Sequence, residues 1–333
     1  MKIPYFSVYI PSYNHEKTLK AALDSVVHQS FKDFEIIVRD DGSKDQSLKV
    51  AQNYKDKRLK VYGNKHNLGY PGNLNKGIKD CRGKYLFILA GDDLIDKNTL
   101  KWYHDALIKY PNAGALTRPY YWFVDDYKIP VRLKLTTNSK NDLLVSEKSS
   151  FDKILLLLST LDQVSCLCYR RDLMTIDFDP ERWISHAYPW LNILKTHPVI
   201  FIKKYPLAVR IGTSLTRTNI YIRSPMLCWR EMIEKIFSEK KYDKFRQKII
   251  KEFIAQNFVG LVQIRNYGNF SSYFNEVKNL IIYNPKNLLN YRFWFFFLTT
   301  LIIPPSILRK ITDKYKLYFN QRLIDRKIVI NLA

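Results

Sequence analysis

The first hundred residues alternate between short apolar runs and amphipathic segments, and the apolar runs end in polar clusters. Residues 6–10 form an apolar run ending at Pro11. Residues 15–29 carry Leu19, Ala22, Leu23, Val26 and Val27 at helical spacing. Residues 34–39 read as a second strand, running into Asp40, Asp41, Gly42 and Ser43, a turn with Ser43 placed to cap a helix over 45–54. A third strand at 59–62 and a helix closing over 75–80 follow. Residues 85–90 then form a fourth, buried strand that ends in Gly91, Asp92 and Asp93. This β-α-β-α order predicts an α/β fold with a doubly wound parallel sheet. In such sheets ligands bind beyond the carboxyl ends of the strands. Residues 11–14, 40–43 and 91–93 stand at three of those ends.

The pairs Asp40-Asp41 and Asp92-Asp93 are costly at a strand end unless a cation or a hydrogen-bond donor meets them. Hard divalent ions such as Mg²⁺ or Mn²⁺ take oxygen ligands and bridge to substrate phosphates. The chain as a whole is basic, with 54 Lys and Arg against 31 Asp and Glu, a net charge of +23. Such an excess faces phosphate-bearing ligands, nucleic acid or an anionic membrane. It is uneven: residues 211–333 carry 21 basic and 8 acidic side chains, net +13, and residues 1–210 carry 33 and 23, net +10. The first part reads as punctuated globular sequence and the second as basic helices, so the boundary falls near 210, with domains at 1–210 and 211–333. A hydrophobic fraction of 46% excludes a disordered chain. Four scattered cysteines exclude a disulfide scaffold or a four-thiolate zinc site. Cys166 and Cys168 read as packing, and a reduced, cytoplasmic compartment fits. Residues 1–5 lack the apolar core of a signal peptide.

In the last third, residues 293–308 are almost wholly apolar and lie between Arg292 and Arg309-Lys310. As a helix this stretch would reach about 24 Å, short of the ~30 Å hydrocarbon core. Pro304-Pro305 would also break it. A monotopic insertion, flanked by basic side chains that meet anionic lipid, is the expectation. The sequence shows no nucleic-acid-binding module, and its basic residues cluster beside its most apolar segment. A nucleic-acid partner is therefore not expected, although the charge and the aromatic content would suit one.

The segments 10–14, 25–31, 34–45, 67–78 and 83–93, taken together and in this order, resemble the start of the family 2 glycosyltransferases of GT-A fold. The resemblance implies a role for each matched position. Pro11 and Tyr13 would line the nucleobase pocket, Tyr13 by stacking, and Asp41 would accept a hydrogen bond from the base. Asn75 falls near the nucleotide, and Asn67 and Gly69 shape the loop before it. Asp93 would ligate Mn²⁺ or Mg²⁺, and Asp92 would meet the ribose or a metal-bound water. Ala90 stands where the fuller metal-binding motif has its first Asp. Lys65 and His66 read as solvated loop residues.

The family inverts by direct displacement, which needs a general base opposite the leaving group. The Glu-Asp pair that often supplies it is absent here, and Ala187-Tyr188 stands in its place. His186 is the nearest titratable substitute and the candidate base. Glu181 and Asp179 come next, and Asp162 is a further acceptor-side candidate. Trp183, Tyr188 and Trp190 read as core packing, with a sugar-stacking platform as the alternative. Residues 199–202 and 206–210 resemble the family's closing strand pair. A loop over 212–216 follows, with Arg210 and Arg217 read as surface charge.

The resulting expectation is a metal-dependent, inverting glycosyltransferase of the kind that builds O-antigen or capsule. Its donor would be a nucleoside-diphosphate sugar, and its saccharide acceptor would be linked to polyprenyl diphosphate. It would sit peripherally on the inner face of the cell membrane. A nucleotide-sugar-binding protein without catalysis is the alternative that Ala90 and the missing Glu-Asp pair leave open.

Overall fold

A computed structural model describes residues 2–134, 141–179, 184–211, 224–318 and 328–332. The chain forms two compact units, Met1–Thr213 with Asn320–Ala333, and Ser214–Phe319. The first runs β1 (Phe6–Ser12), α1 (Leu19–Val27), β2 (Phe34–Asp40), α2 (Ser47–Asn53), β3 (Leu59–Gly63), α3 (Gly69–Ile78) and β4 (Tyr85–Ile88). Every residue of β1, β2 and β4 is buried, as expected for parallel strands covered on both faces. These strands lie in the order β3-β2-β1-β4 and pair parallel. The chain moves outward from β1 to β3 and then returns to the other side of β1. The order therefore reverses between β1 and β4, the place where such sheets open a crevice.

The rest of this unit is β5 (Leu94–Ile95), α4 (Thr99–Lys109), β6 (Ala115–Thr117), β7 (Tyr120–Phe123), β8 (Arg132–Lys134), β9 (Leu143–Val145), α5 (Phe151–Thr160), β10 (Cys168–Arg170), α6 (Ala187–Leu194), β11 (Val199–Phe201) and β12 (Leu207–Arg210). The main sheet continues beyond β4 as β10-β6-β11-β9, with β10 antiparallel to β4. A second sheet has the order β5-β12-β7-β8. Its alternate residues Ile95, Leu207, Val209, Tyr120 and Trp122 join the main core with Val8, Ile36, Phe87 and Leu100. Burying one such side chain contributes about 1.5–3 kcal/mol before conformational entropy is counted.

Several local expectations shift. The segment before α1 is a turn, with Thr18 N and Leu19 N both donating to His15 O at 3.0 and 2.9 Å. The helix expected at 75–80 starts earlier, at Gly69, because Pro71 is tolerated in a first turn where no intrahelical donor is needed. Ser43 does not cap α2, whose N-cap is Gln46. The two closing strands do not pair with each other: β11 lies between β6 and β9, and β12 between β5 and β7.

The second unit is helical: α7 (Pro225–Ile236), α8 (Asp243–Glu252), α9 (Val259–Tyr267), α10 (Phe270–Tyr283), α11 (Tyr291–Ile302) and α12 (Pro305–Tyr318). Ser224, Asn269 and Asn290 cap α7, α10 and α11 by accepting from Leu227 N, Ser272 N and Arg292 N. The helix breaks at Ile303-Pro304, and Pro305 opens α12, so the proline pair interrupts the apolar run as the sequence predicts. Among the described residues no helix is long and apolar enough to cross a membrane. Residues 328–332, which the boundary at 210 placed with the helices, pack instead against the second sheet of the first unit.

Candidate functional site

The carboxyl ends of β1, β2 and β3 are stitched together by short polar bonds. Asp41 N donates to Ser12 O at 2.8 Å, and Asn64 N to Asp40 O at 2.8 Å. Asp40 accepts from Ser43 N at 2.9 Å and also from the Ser43 hydroxyl. Asn14 adopts a left-handed φ of 55°, in which its backbone N donates to Ser43 Oγ and its Oδ1 accepts from Lys44 N. Gly42 has φ +71°, and a Cβ there would lie 2.9 Å from the His66 carbonyl carbon. Only glycine fits that bend.

Asp41 is buried at the centre of this stitching. Its Oδ1 accepts from Leu68 N at 2.9 Å and from Asn64 Nδ2 at 2.8 Å. Asn64 Nδ2 also donates to Asn73 Oδ1, and Asn64 Oδ1 accepts from Arg39 Nη1. Arg39 is itself paired with Asp80. Among the described residues Asp41 Oδ2 has no hydrogen-bond partner, so it is the oxygen open to an N–H of a ligand. Ser12 Oγ, one residue beyond Pro11, is buried and also without a partner. Tyr13 is half-buried beside it. Asn75 does not join this cluster: its amide is locked onto Phe178, donating to the carbonyl and accepting from the N–H at 2.8 Å each. The asparagines that hold Asp41 are Asn64 and, through it, Asn73.

Beyond β4, Asp92 is half-buried and Asp93 fully buried. Asp93 Oδ2 accepts from Ser165 Oγ at 2.6 Å, and Oδ1 accepts from Arg210 N at 2.9 Å. Ser165 Oγ in turn accepts from Ala90 N at 2.9 Å. Burial, and then the Asp92 carboxylate beside it, push the Asp93 carboxyl well above the usual carboxylate range. A cation would remove that cost. No cluster of three or more His, Cys, Asp or Glu stands ready for a metal among the described residues. The residues nevertheless fit a hard divalent ion of the kind that takes one or two carboxylates and completes its shell with phosphate and water. Arg210 is not surface charge. Its guanidinium donates to Asp92 O at 3.3 Å and to Val124 O at 3.1 Å, and lies 4.5 Å from the Phe123 ring centroid.

On the other side of β10, His186 is buried. Its Nε2 lies 2.8 Å from Leu161 O and its Nδ1 3.0 Å from Tyr70 Oη. A carbonyl only accepts, so Nε2 carries the proton and Nδ1 accepts from the tyrosine. Burial pulls the imidazole down to about 4. A neutral histidine with both nitrogens engaged is not placed to take an acceptor's proton, and the base expected at His186 does not fit this geometry. Asp162, one residue beyond Leu161, has a side chain 37% exposed. Its oxygens accept from Tyr120 Oη at 2.6 Å and from Lys134 Nζ at 2.8 Å. Arg118, fully buried, holds the same turn by donating to Thr160 O and Gln163 O. Trp190 is core, with Nε1 donating to Leu116 O, and Tyr188 is also buried. Asp179 is buried too, whereas Glu181, Trp183, Arg217 and the 212–216 loop lie outside the described residues. Lys65 and His66 are exposed, as expected. The sequence reading missed Asn64, Asn73, Ser165, Arg118 and Tyr120, each of which acts by contact with a residue far away in the chain.

A doubly wound sheet with paired carboxylates beyond its strand ends is an α/β protein with a crevice open to a ligand at its switch point. The profile of glycosyl transferase family 2 matches residues 7–175, about half of the chain, and the chain belongs to that family. An uncharacterised glycosyltransferase of Rickettsia prowazekii (strain Madrid E) is 37% identical over 122 residues, 37% of this chain and 38% of the relative. The matched part thus spans well under two thirds of that relative's length. The crystal structure of S. aureus TarS 1-349 in complex with UDP-GlcNAc aligns with TM-score 0.63 at 18% identity, over 93% of this chain and 91% of that one. The mannosyltransferase PcManGT from Pyrobaculum calidifontis, in complex with GDP-Man and Mn2+, aligns with TM-score 0.55 at 16% identity, over 94% and 89%. At such identity the structural likeness establishes the fold: the mixed α/β GT-A arrangement that the sequence resemblance implies.

Proposed function

We propose that this chain is an inverting glycosyltransferase that moves a sugar from a nucleoside-diphosphate sugar to a saccharide acceptor. The observation that carries the reading is the placement of Asp41 and of Asp92-Asp93 at the carboxyl ends of β2 and β4, on either side of β1. Asp41 Oδ2 accepts an N–H of the base. Pro11 and Tyr13 wall the base pocket, Tyr13 by stacking. Asp92 would meet the ribose, and Asp93 would hold Mn²⁺ or Mg²⁺. That ion, when bound, offsets the negative charge growing on the leaving diphosphate. The donor is a uridine or thymidine diphosphate sugar, the first in keeping with the UDP-GlcNAc complex of TarS.

Asp162 takes the proton of the attacking hydroxyl. Of Asp162 and Asp179, the candidate carboxylates among the described residues, Asp162 is the one that keeps solvent access, and Tyr120 and Lys134 fix its orientation. His186 serves as a staple: it ties the Leu161 turn to Tyr70 of α3 and so holds Asp162 in place. The acceptor is a saccharide linked to polyprenyl diphosphate, in assembly of a cell-surface polysaccharide of the O-antigen or capsule type. The enzyme works peripherally on the inner face of the cell membrane, a location supported by the exposed aromatic and basic side chains of α11 and α12.

The test is calorimetric titration of a panel of nucleoside diphosphates with Mn²⁺, Mg²⁺ or EDTA, on wild type and Asp93→Ala. One nucleotide should bind tightly, need the metal, and lose at least about tenfold in affinity in Asp93→Ala. An absence of binding under every condition would sink the reading.

A further inference from the structure

We infer that residues 328–332 are a positioning strap for the acidic loop of the donor site; this rests on the donor site proposed above. The second sheet presents one cross-strand row, Leu94, Ala208, Tyr121 and Leu133, fixed by the pairings of β5, β12, β7 and β8. That row faces away from the main core. Ile330 is buried against Leu94, Tyr121, Phe123 and Ala208, and Ile328 and Leu332 pack beside it. All three thus share one apolar cluster with that row. The backbone is tied as well. Ile330 N donates to Tyr121 Oη at 3.3 Å, Asn331 N to Asp96 Oδ2 at 2.7 Å, and Lys97 N to Asn331 O at 2.7 Å.

The sheet so covered is the one that holds Asp93. Leu94, under Ile330, directly follows Asp93 in the chain. Arg210, the last residue of β12, donates its N–H to Asp93 Oδ1. Asp96, which accepts from Asn331, also anchors β5 through its own N–H to Pro206 O at 2.9 Å, just ahead of β12. The strap therefore closes β5 and β12 against each other one to three residues from Asp93. Without it, a row of apolar side chains would face water and the short β5, only two residues long, would lose a flank. Ile95 packs one side of β5 into the main core, and Ile330 covers Leu94 on the other.

The experiment uses the full chain with Ile330→Asp and Ile330→Val. UDP with Mn²⁺ is titrated by calorimetry, and amide hydrogen exchange is followed at 90–97 and 207–210 and, as internal control, at 6–12 and 34–40. Ile330→Asp should weaken UDP binding at least about tenfold and speed exchange at 90–97 and 207–210 while leaving the control strands protected; Ile330→Val should restore both. Wild-type UDP affinity with unchanged exchange at 90–97 overturns the strap. So does a uniform loss of thermal stability with affinity intact. If Ile330→Asp loses protection in the control strands as well, Ile330→Ala is judged by the same criteria. If UDP fails to bind wild type while another nucleoside diphosphate binds, that nucleotide replaces UDP in the comparison; if none binds, the donor reading has failed and the exchange comparison still decides the strap.

Discussion

A histidine whose two nitrogens are spoken for and a carboxylate that keeps a third of its surface in water invite opposite chemistry. Asp162→Asn should lower kcat by about 10²–10⁴, the usual worth of a positioned base, with nucleotide affinity unchanged. His186→Gln, which can still donate to Leu161 O and accept from Tyr70, should keep kcat within about tenfold. Steady-state kinetics on the two variants decides between them; the reverse ranking would return the base to His186. The imidazole also leaves a mark on stability. Its value falls from 6.5 to about 4 on folding, so the unfolded chain binds the proton that the folded one refuses. Stability from this group is complete above about pH 6.5 and is lost as the pH falls toward 4. Sequence alone could find Asp41 and Asp92-Asp93, because each sits directly behind an apolar run. It could not find their partners, since Ser165 meets Asp93 across 72 positions and Tyr120 meets Asp162 across 42. Nor could it find that the Asn75 amide is held by Phe178, 103 positions away, or that Asn73 bonds the Asn64 that holds Asp41.

Single elements carry their own consequences. Gly42→Ala asks an L residue to adopt φ +71° with its Cβ against the His66 backbone. It should cost about 1–3 kcal/mol in chemical denaturation and weaken UDP binding, because the strained turn carries Asp41. Gly91→Ala would place a Cβ 2.5 Å from His15 Nδ1 and should disturb the loop before Asp92 in the same assay. In the helical unit, Glu276 on α10 is buried, accepting from Ser224 Oγ and from Met226 N at the start of α7. Burial raises its carboxyl from 4.5 to about 7. Between those values the folded state keeps a proton that the unfolded state has released, so stability falls as the pH rises from about 4.5 to 7 and then levels. Glu276→Gln should flatten that slope in urea titrations taken across the range; an unchanged slope would remove Glu276 as its source. The alternation of apolar runs made β1 to β4 and their helices legible, since buried parallel strands write themselves as unbroken apolar sequence. The short strands β5 to β12 were mostly not, because pieces of two to four residues carry no period and owe their existence to neighbours from distant segments.

At the scale of the molecule, the uneven charge of the chain meets an uneven surface. Tyr291, Phe295 and Ile302 on α11 are 81%, 63% and 74% exposed, and Ile307, Ile311 and Tyr315 on α12 are also exposed. Arg292, Arg309, Lys310 and Lys314 stand exposed among them, with Asp313 as the acid nearby. Exposed aromatics ringed by basic side chains suit the interface of an anionic bilayer, where each cation near the surface is worth about 1 kcal/mol. Four of them would then shift binding by roughly a thousandfold between anionic and neutral lipid, since every 1.4 kcal/mol is tenfold. The full chain should therefore float with vesicles containing phosphatidylglycerol and stay behind with pure phosphatidylcholine. Raising salt from 0.1 to 1 M shortens the screening length from about 10 to 3 Å, and it should release much of the bound protein. Phe295→Asp with Ile302→Asp should abolish flotation at either salt while leaving UDP binding intact, because neither side chain belongs to the donor site. Equal binding to both lipids would mean that charge plays no part, and flotation unaffected by the double substitution would mean that this face does not touch the bilayer.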